Sequence, residues 1–156
     1  MQWDSSLGLR TVAKTLRENY DLKALDFTSW TETSTARERR VALVSTGSFY
    51  RKVDQPHRFP GYNFRDIPAD AHDVQTNHVS IILERTSFLQ DINVALPFDW
   101  LDEAAAAVTI GLVALTHYNF NGGSALMGIE GYERYAVEVA GRLQNGGVST
   151  VLFCPL

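Results

Sequence analysis

The chain has 156 residues, 14 Lys and Arg against 18 Asp and Glu, four His and one Cys, and is 45% apolar and 21% charged. That fits one soluble domain with its own core and excludes a disordered segment or a disulfide-framed module. A net charge of -4 leaves no basic surplus to displace phosphate counterions, so nucleic acid is not an expected partner.

Ser5 and Ser6 can cap a helix whose apolar positions, Leu9, Val12, Ala13, Leu16 and Tyr20, follow one helical face. Nothing in the opening MQWDSSLGLR resembles a basic-then-apolar leader, and the lone Cys154 cannot form an internal disulfide, so the cytoplasm is expected. Residues 1–39 read as a helical arm on a single domain spanning 1–156. Val41 to Ser45 is a short continuous apolar run ending at Thr46-Gly47, the pattern of a buried strand entering a loop. Residues 48–77 carry three of the five prolines among Phe49, Tyr50, Phe59, Tyr62 and Phe64 with neither period, and read as a binding loop or a covering arm.

Val79 to Leu83 reads as a second buried strand, and Thr86 to Pro97 as irregular. Asp99 then caps a predicted helix from about Trp100 to Leu115, with Leu101, Ala104, Ala105, Val108, Leu112 and Leu115 on one side. The apolar run Ala104–Leu115 within it is broken by Thr109 and Gly111 and is too short to cross a bilayer, so no membrane is expected as a partner. Thr116 to Gly123 reads as a polar, aromatic turn. A last helix is predicted over about Glu130 to Gln144, with Tyr132, Tyr135, Ala136, Val139 and Leu143 inward, Glu138 four residues before Arg142, and Asn145-Gly146-Gly147 as its stop. Val148 to Phe153 is a third buried strand. Helices alternating with continuous apolar strands predict an α/β three-layer sandwich around a mostly parallel, Rossmann-like sheet.

In open parallel sheets, ligands bind beyond the carboxyl ends of the strands. Thr46-Gly47-Ser48, Glu84-Arg85-Thr86 and Cys154-Pro155 stand there. Cys154 reads either as a nucleophilic thiol or as a small buried hydrophobe, and no helix follows it to lower its pKa. His117 beside Tyr118 reads either as a proton-transfer and orienting pair or as a cation suited to a helix C-terminus. Asp91 could cap a turn or orient such a histidine. His57, His72 and His78 fit neither HExxH nor a Cys/His zinc spacing, so no metal is expected. Walker A, GxGxxG and GxSxG patterns are absent, which argues against a nucleotide cradle and an α/β-hydrolase triad.

Three segments, RVALVSTGSFYRK, QDINVALPFDWLDEAAAAVTIGLVALTHYNFNGG and VEVAGRLQNGGVSTVLFCPL, occur in an order that resembles the selenoprotein B family: component B of glycine, sarcosine and betaine reductases and the selenoprotein subunit of D-proline reductase. The likeness covers roughly residues 40–156 and rests on a strand ending in Thr-Gly, Asp91-Ile92-Asn93 before Leu96-Pro97-Phe98, Ile110-Gly111, His117-Tyr118 with Phe120, Asn-Gly-Gly-Val, and a strand ending in Cys-Pro. Relatives carry a His-rich or His-x-x-Tyr element where this chain, between Thr76 and Leu89, has only His78, so no metal or proton role carries over to that stretch. Cys154-Pro155-Leu156 matches the first three places of a Cys-Pro-x-Cys or Cys-Pro-x-selenocysteine element. The sequence is thus expected to resemble the N-terminal half of such a subunit, either terminated at a selenocysteine codon or a fragment or half-length relative.

The resemblance implies reductive cleavage of a carbon–nitrogen bond in glycine, betaine, sarcosine or D-proline, with a selenol or thiol as nucleophile and a neighbouring Cys resolving the intermediate. No cofactor is implied beyond a selenocysteine past Leu156. The candidate set is Cys154, His117 and Asp91 for catalysis, and Thr46, Gly47, Ser48, Tyr118 and Asn93 for substrate binding. Other reductase subunits and a homo-oligomer are the expected partners, and the polypeptide alone is expected to be inactive. Two other classes remain open: a small-molecule binding or regulatory domain without covalent chemistry, and a half-domain that assembles with itself or another chain.

Overall fold

The computed structural model describes residue 32, residues 34–80, residue 83 and residues 85–156. The chain divides into two units, Met1–Glu32 and Thr33–Leu156, and the second carries everything that follows. The helix expected from Ser5 to Tyr20 lies outside the described residues, as does Glu84.

The run Val41 to Val44 forms the central strand β1 (Arg40–Ser45), whose last five residues are all buried. The short ribbon strands β2 (Phe49–Arg51) and β4 (Val74–Thr76) pair antiparallel with each other, and β3 (Phe64–Pro68) lies between them in the chain. Along one side β1 pairs in parallel with β5 (Leu112–Val113) and then β6 (Thr116–Phe120). Along the other it pairs in parallel with β7 (Thr150–Cys154), from Val41↔Thr150 to Ser45↔Cys154. β3 closes the far edge antiparallel to β6. The result is a mixed α/β fold on a five-strand, mostly parallel sheet that curls strongly into a half-barrel.

Continuous apolar strands occur because both faces are covered. Val41 and Leu43 point into one cluster with Phe49, Phe88, Leu96, Phe98 and Leu101. Val44 points the other way, into a cluster with Tyr118, Phe120 and Val139. Two helices, α1 (Thr86–Gln90) and α2 (Phe98–Ala106), bring Phe88, Phe98 and Leu101 to the first face. The second face takes Val139 from α3 (Glu133–Asn145). Leu43 is fully buried, and a side chain of that kind stabilises by about 1.5–3 kcal/mol relative to exposure.

The predicted last helix forms where expected, with the Glu138–Arg142 pair at 2.7 Å and a stop after Asn145, although Ala136 faces solvent. Several expectations need correction. The helix predicted to reach Leu115 stops at Ala106. Val108, Thr109 and Ile110 are β-branched, Val108 takes a left-handed φ of 55°, and Gly111 lies so close to the chain that a Cβ there would sit 2.8 Å from the Arg37 carbonyl oxygen. The stretch from Thr116 read as a turn is strand β6, and the aperiodic 48–77 holds β2, β3 and β4. The irregular 86–97 contains α1 and a 3-10 turn, Ile92–Val94. Val79, Ser80 and Leu83 belong to no strand, while Ile81 and Ile82 lie outside the described residues. β7 begins at Thr150 and is only half covered, with Leu152 43% and Phe153 71% exposed. Among the described residues no helix is long and apolar enough to cross a membrane.

Candidate functional site

Residues in register on adjacent parallel strands point to the same face. Ser45 pairs with Cys154 on one side and with Asn119 on the other, so these three side chains form a polar row at the carboxyl edge of the sheet. Ser45 is buried and its Oγ accepts the Gly47 amide at 3.2 Å. Asn119 is fully buried, and its Oδ1 accepts the Phe49 amide at 2.5 Å. Cys154 is a free, half-buried thiol, and burial pushes its pKa up.

The Thr46-Gly47-Ser48 loop lies against this row. Thr46 donates its amide to the Cys154 carbonyl at 3.4 Å, and its hydroxyl accepts the Leu156 amide at 3.0 Å. Gly47 is required because a Cβ there would come within 2.3 Å of the buried Phe49 ring, with the Leu156 side chain next at 2.6 Å. Ser48 is fully buried at a left-handed φ of 54°, a conformation uncommon outside glycine. Its amide donates to Phe120 O at 3.0 Å and its hydroxyl to Asn121 Oδ1 at 2.9 Å, so its polar groups hold the loop to the end of β6.

His117 comes to the same face as Asn119, two positions earlier on β6. Between the pairs Val41↔Val113 and Val44↔Tyr118 the partner strand runs two residues longer than β1, which breaks the ladder. His117 Nδ1 fills the break by accepting the Leu43 amide at 3.0 Å, and its ring stacks on Phe98 at 5.2 Å between centroids. Burial lowers its pKa to about 4, so it is neutral at pH 7, with its proton on Nε2. Tyr118 points to the opposite face, against Phe64, where burial and the Asp66 charge raise its pKa. Sequence adjacency on a strand separates the imidazole and the phenol, and the expected proton-transfer pair is not formed.

Asp91 and Asn93 form a separate arrangement. Asp91 Oδ1 accepts from Asn93 N at 2.9 Å and from Asn93 Nδ2 at 3.1 Å. Asn93 Nδ2 also donates to Asp99 Oδ2 at 2.7 Å, and Asn93 Oδ1 accepts the Asp99 amide at 3.0 Å. These bonds cap the first turn of α2, and among them none joins Asp91 to an imidazole. A cleft of about 490 Å³ opens nearby, lined by Phe88, Phe98, Asp70, His72 and Asp102 among others. Neither Cys154 nor Thr46 lines it.

Sequence reading passed over Ser45, Asn119 and Asn121, and weighed His57 and His78 only as metal ligands. All five are buried, and all lie at or beyond the carboxyl ends of β1 and β6 or against the ribbon that follows β1. The one available signal was the alternation in His-Tyr-Asn-Phe-Asn, which puts the aromatics on one face and the amides on the other. His57 pairs its Nε2 with Phe49 O at 3.0 Å, and burial lowers its pKa to about 4. His78 accepts the Ser80 amide through Nδ1 at 3.1 Å, and burial, with the Arg85 charge, lowers its pKa. Among the described residues the buried side-chain nitrogens without a hydrogen-bond partner are His57 Nδ1, His78 Nε2, His117 Nε2 and Asn119 Nδ2. Such groups are rare in native interiors, and their concentration marks this end of the sheet as the polar centre of the fold. No group of three or more His, Cys, Asp or Glu able to hold a metal ion occurs among the described residues.

No family model, curated protein or solved structure matches the chain significantly.

Proposed function

We propose that the chain is part of a selenol- or thiol-dependent reductase subunit of the selenoprotein B type, which cleaves the carbon–nitrogen bond of glycine, betaine, sarcosine or D-proline. In finer detail, the fold is read as a three-layer, Rossmann-like sandwich. The observation that supports this best is the register Ser45↔Cys154, with Ser45↔Asn119 beside it, which sets the thiol among polar groups at the carboxyl edge of a parallel sheet. In this reading a selenolate or thiolate displaces the amine from the substrate carbon. Cys154 then attacks that chalcogen, the carbon fragment leaves with the bonding electrons and takes a proton, and the two chalcogens remain joined until a dithiol reduces them. Cys154 is the single cysteine of the chain, so the attacking chalcogen comes from another polypeptide segment. His117, which shares the face of Cys154, remains the proposed proton residue, with Gly47 and Ser48 proposed for substrate binding; Tyr118 on the opposite face, Asp91 and Asn93 at the start of α2, and Thr46, whose hydroxyl is held by Leu156, are not assigned to the substrate. Other reductase subunits are the proposed partners, and the cytoplasm, where thiols stay reduced, the proposed compartment.

The test is a titration of isotopically labelled protein with each of the four amines, followed by amide shifts. The reading expects shifts at Gly47, Ser48, Asn119 and Cys154, and no dithiothreitol-driven turnover by this polypeptide alone. Silence toward all four amines, shifts confined to the Phe88–Asp102 cleft, or substantial turnover would overturn it. Binding at the strand ends that is unchanged by Cys154→Ala would support the non-covalent binding module instead. A half-domain that assembles with another copy or chain is favoured by one observation, the exposed Leu152 and Phe153 on β7.

A further inference from the structure

We infer that Thr46 is a positioning residue for Cys154, seating the segment 154–156 so that the thiol is held half-buried at the end of β7. This rests on the reading of Cys154 as the resolving thiol.

The seat is built from three hydrogen bonds and one contact. The Thr46 amide donates to the Cys154 carbonyl at 3.4 Å. Its hydroxyl oxygen accepts the Leu156 amide at 3.0 Å and donates its own proton to the Leu156 carbonyl at 3.3 Å. One side chain therefore satisfies both the donor and the acceptor of a residue two places beyond the cysteine, as a neighbouring strand would. Leu156 is in turn laid over Gly47, whose missing Cβ leaves the room its side chain occupies, and packs against the core cluster that includes Phe49. Behind the seat, Gly122 donates its amide to the Thr46 carbonyl at 2.8 Å, and a Cβ on Gly122 would meet that carbonyl at 2.7 Å. Thr46 is thus fixed from the β6 side and grips from the β7 side. Its hydroxyl is committed to the backbone of Leu156, so it reaches the chemistry through Cys154 and not through a substrate.

The seat also sets how the thiol ionises. With the segment gripped, Cys154 stays half-buried and its thiol is held above the ordinary range. Released, it would move toward solvent and ionise at lower pH, which raises its nucleophilic fraction without any change at the sulfur itself.

The experiment is alkylation of Cys154 by iodoacetamide across a pH series, without substrate, in wild type and in three variants checked for folding by circular dichroism. Thr46→Ser keeps the hydroxyl and should follow the wild-type rate–pH curve. Thr46→Val loses both hydroxyl bonds, and Leu156→Pro removes the amide that Thr46 accepts. Each should alkylate about threefold faster or more near neutral pH, with its midpoint moved down. Curves for Thr46→Val and Leu156→Pro that coincide with wild type, or a Thr46→Ser curve that shifts as far as Thr46→Val, would overturn the inference. If Thr46→Val fails to fold, Leu156→Pro, which replaces only a partly buried residue at the margin of the first cluster, decides alone. Because no amine is present, a Thr46-dependent curve would stand even if the four amines prove not to bind, and a failed curve would leave their binding unaffected.

Discussion

His117 provides a sharp test of how this core is built. A histidine whose folded pKa is about 4, against an ordinary 6.5, is neutral in the folded protein and charged in the unfolded chain at mildly acid pH. The unfolded state then binds more protons, so stability is fully present above about pH 6.5 and is lost as pH falls toward 4. A difference of roughly 2.5 pH units corresponds to about 3 kcal/mol at full extent, of which about 2 kcal/mol is lost between pH 7 and pH 5. The variant His117→Asn keeps an oxygen able to accept the Leu43 amide but has nothing to titrate in this range. Urea unfolding of wild type and variant at pH 7 and pH 5, followed by circular dichroism, gives two pH-dependent losses. The loss for His117→Asn should be smaller by about 2 kcal/mol, while carboxylate and His57 contributions are common to both and cancel. Equal losses would show that His117 is neither buried nor neutral in the fold, and would refute its place in the broken ladder between β1 and β6.

Asn93→Ala removes the acceptor for the Asp99 amide and the donor to the Asp99 carboxylate, and should lower stability by about 1–2 kcal/mol in thermal unfolding; an unchanged midpoint would contradict its capping role. Gly111→Ala should destabilise by more than about 1 kcal/mol because its methyl would meet the Arg37 and Arg39 carbonyl oxygens at 2.8 and 2.9 Å. Gly141→Ala, inside α3 with nothing within 4 Å, should stabilise by about 0.5–1 kcal/mol, and the reverse order in denaturant midpoints would refute both placements. Tyr118→Phe should leave Cys154 alkylation and its pH profile unchanged, since the phenol faces the other side of the sheet; a shifted profile would contradict that separation.

What was legible in the sequence was the part governed by apolar periodicity. Val41 to Val44 is a strand because it must be apolar on both faces, and α3 shows its amphipathic face, its Glu138–Arg142 pair and its Gly-Gly stop. β6 was not legible because its buried face carries His117 and Asn119, which enter the interior by bonding backbone groups at Leu43 and Phe49. In sequence those residues look like a turn. α2 ends at Ala106 because Val108, Thr109 and Ile110 are β-branched and Gly111 follows, and Leu112 and Val113 then pair with β1; only the apolar spacing out to Leu115 suggested a longer helix. The rule of strand ends set Thr46, Gly47 and Cys154 at one edge of the sheet, where the Thr46 amide bonds the Cys154 carbonyl, but it also named Arg85 and Thr86, which follow no strand among the described residues. His117 shares the face of Cys154, but Tyr118 was separated from it by the strand period. Asp91 and Asn93 turned out to be tied to the start of α2.

The central claim is that an amine substrate sits against Cys154 where β1 and β7 end together. The direct measurement is the rate of Cys154 alkylation, read by mass spectrometry, with and without saturating glycine, sarcosine, betaine or D-proline. The account predicts that at least one of the four slows labelling several-fold while a chemically unrelated amine does not. Identical rates in all five cases would contradict it.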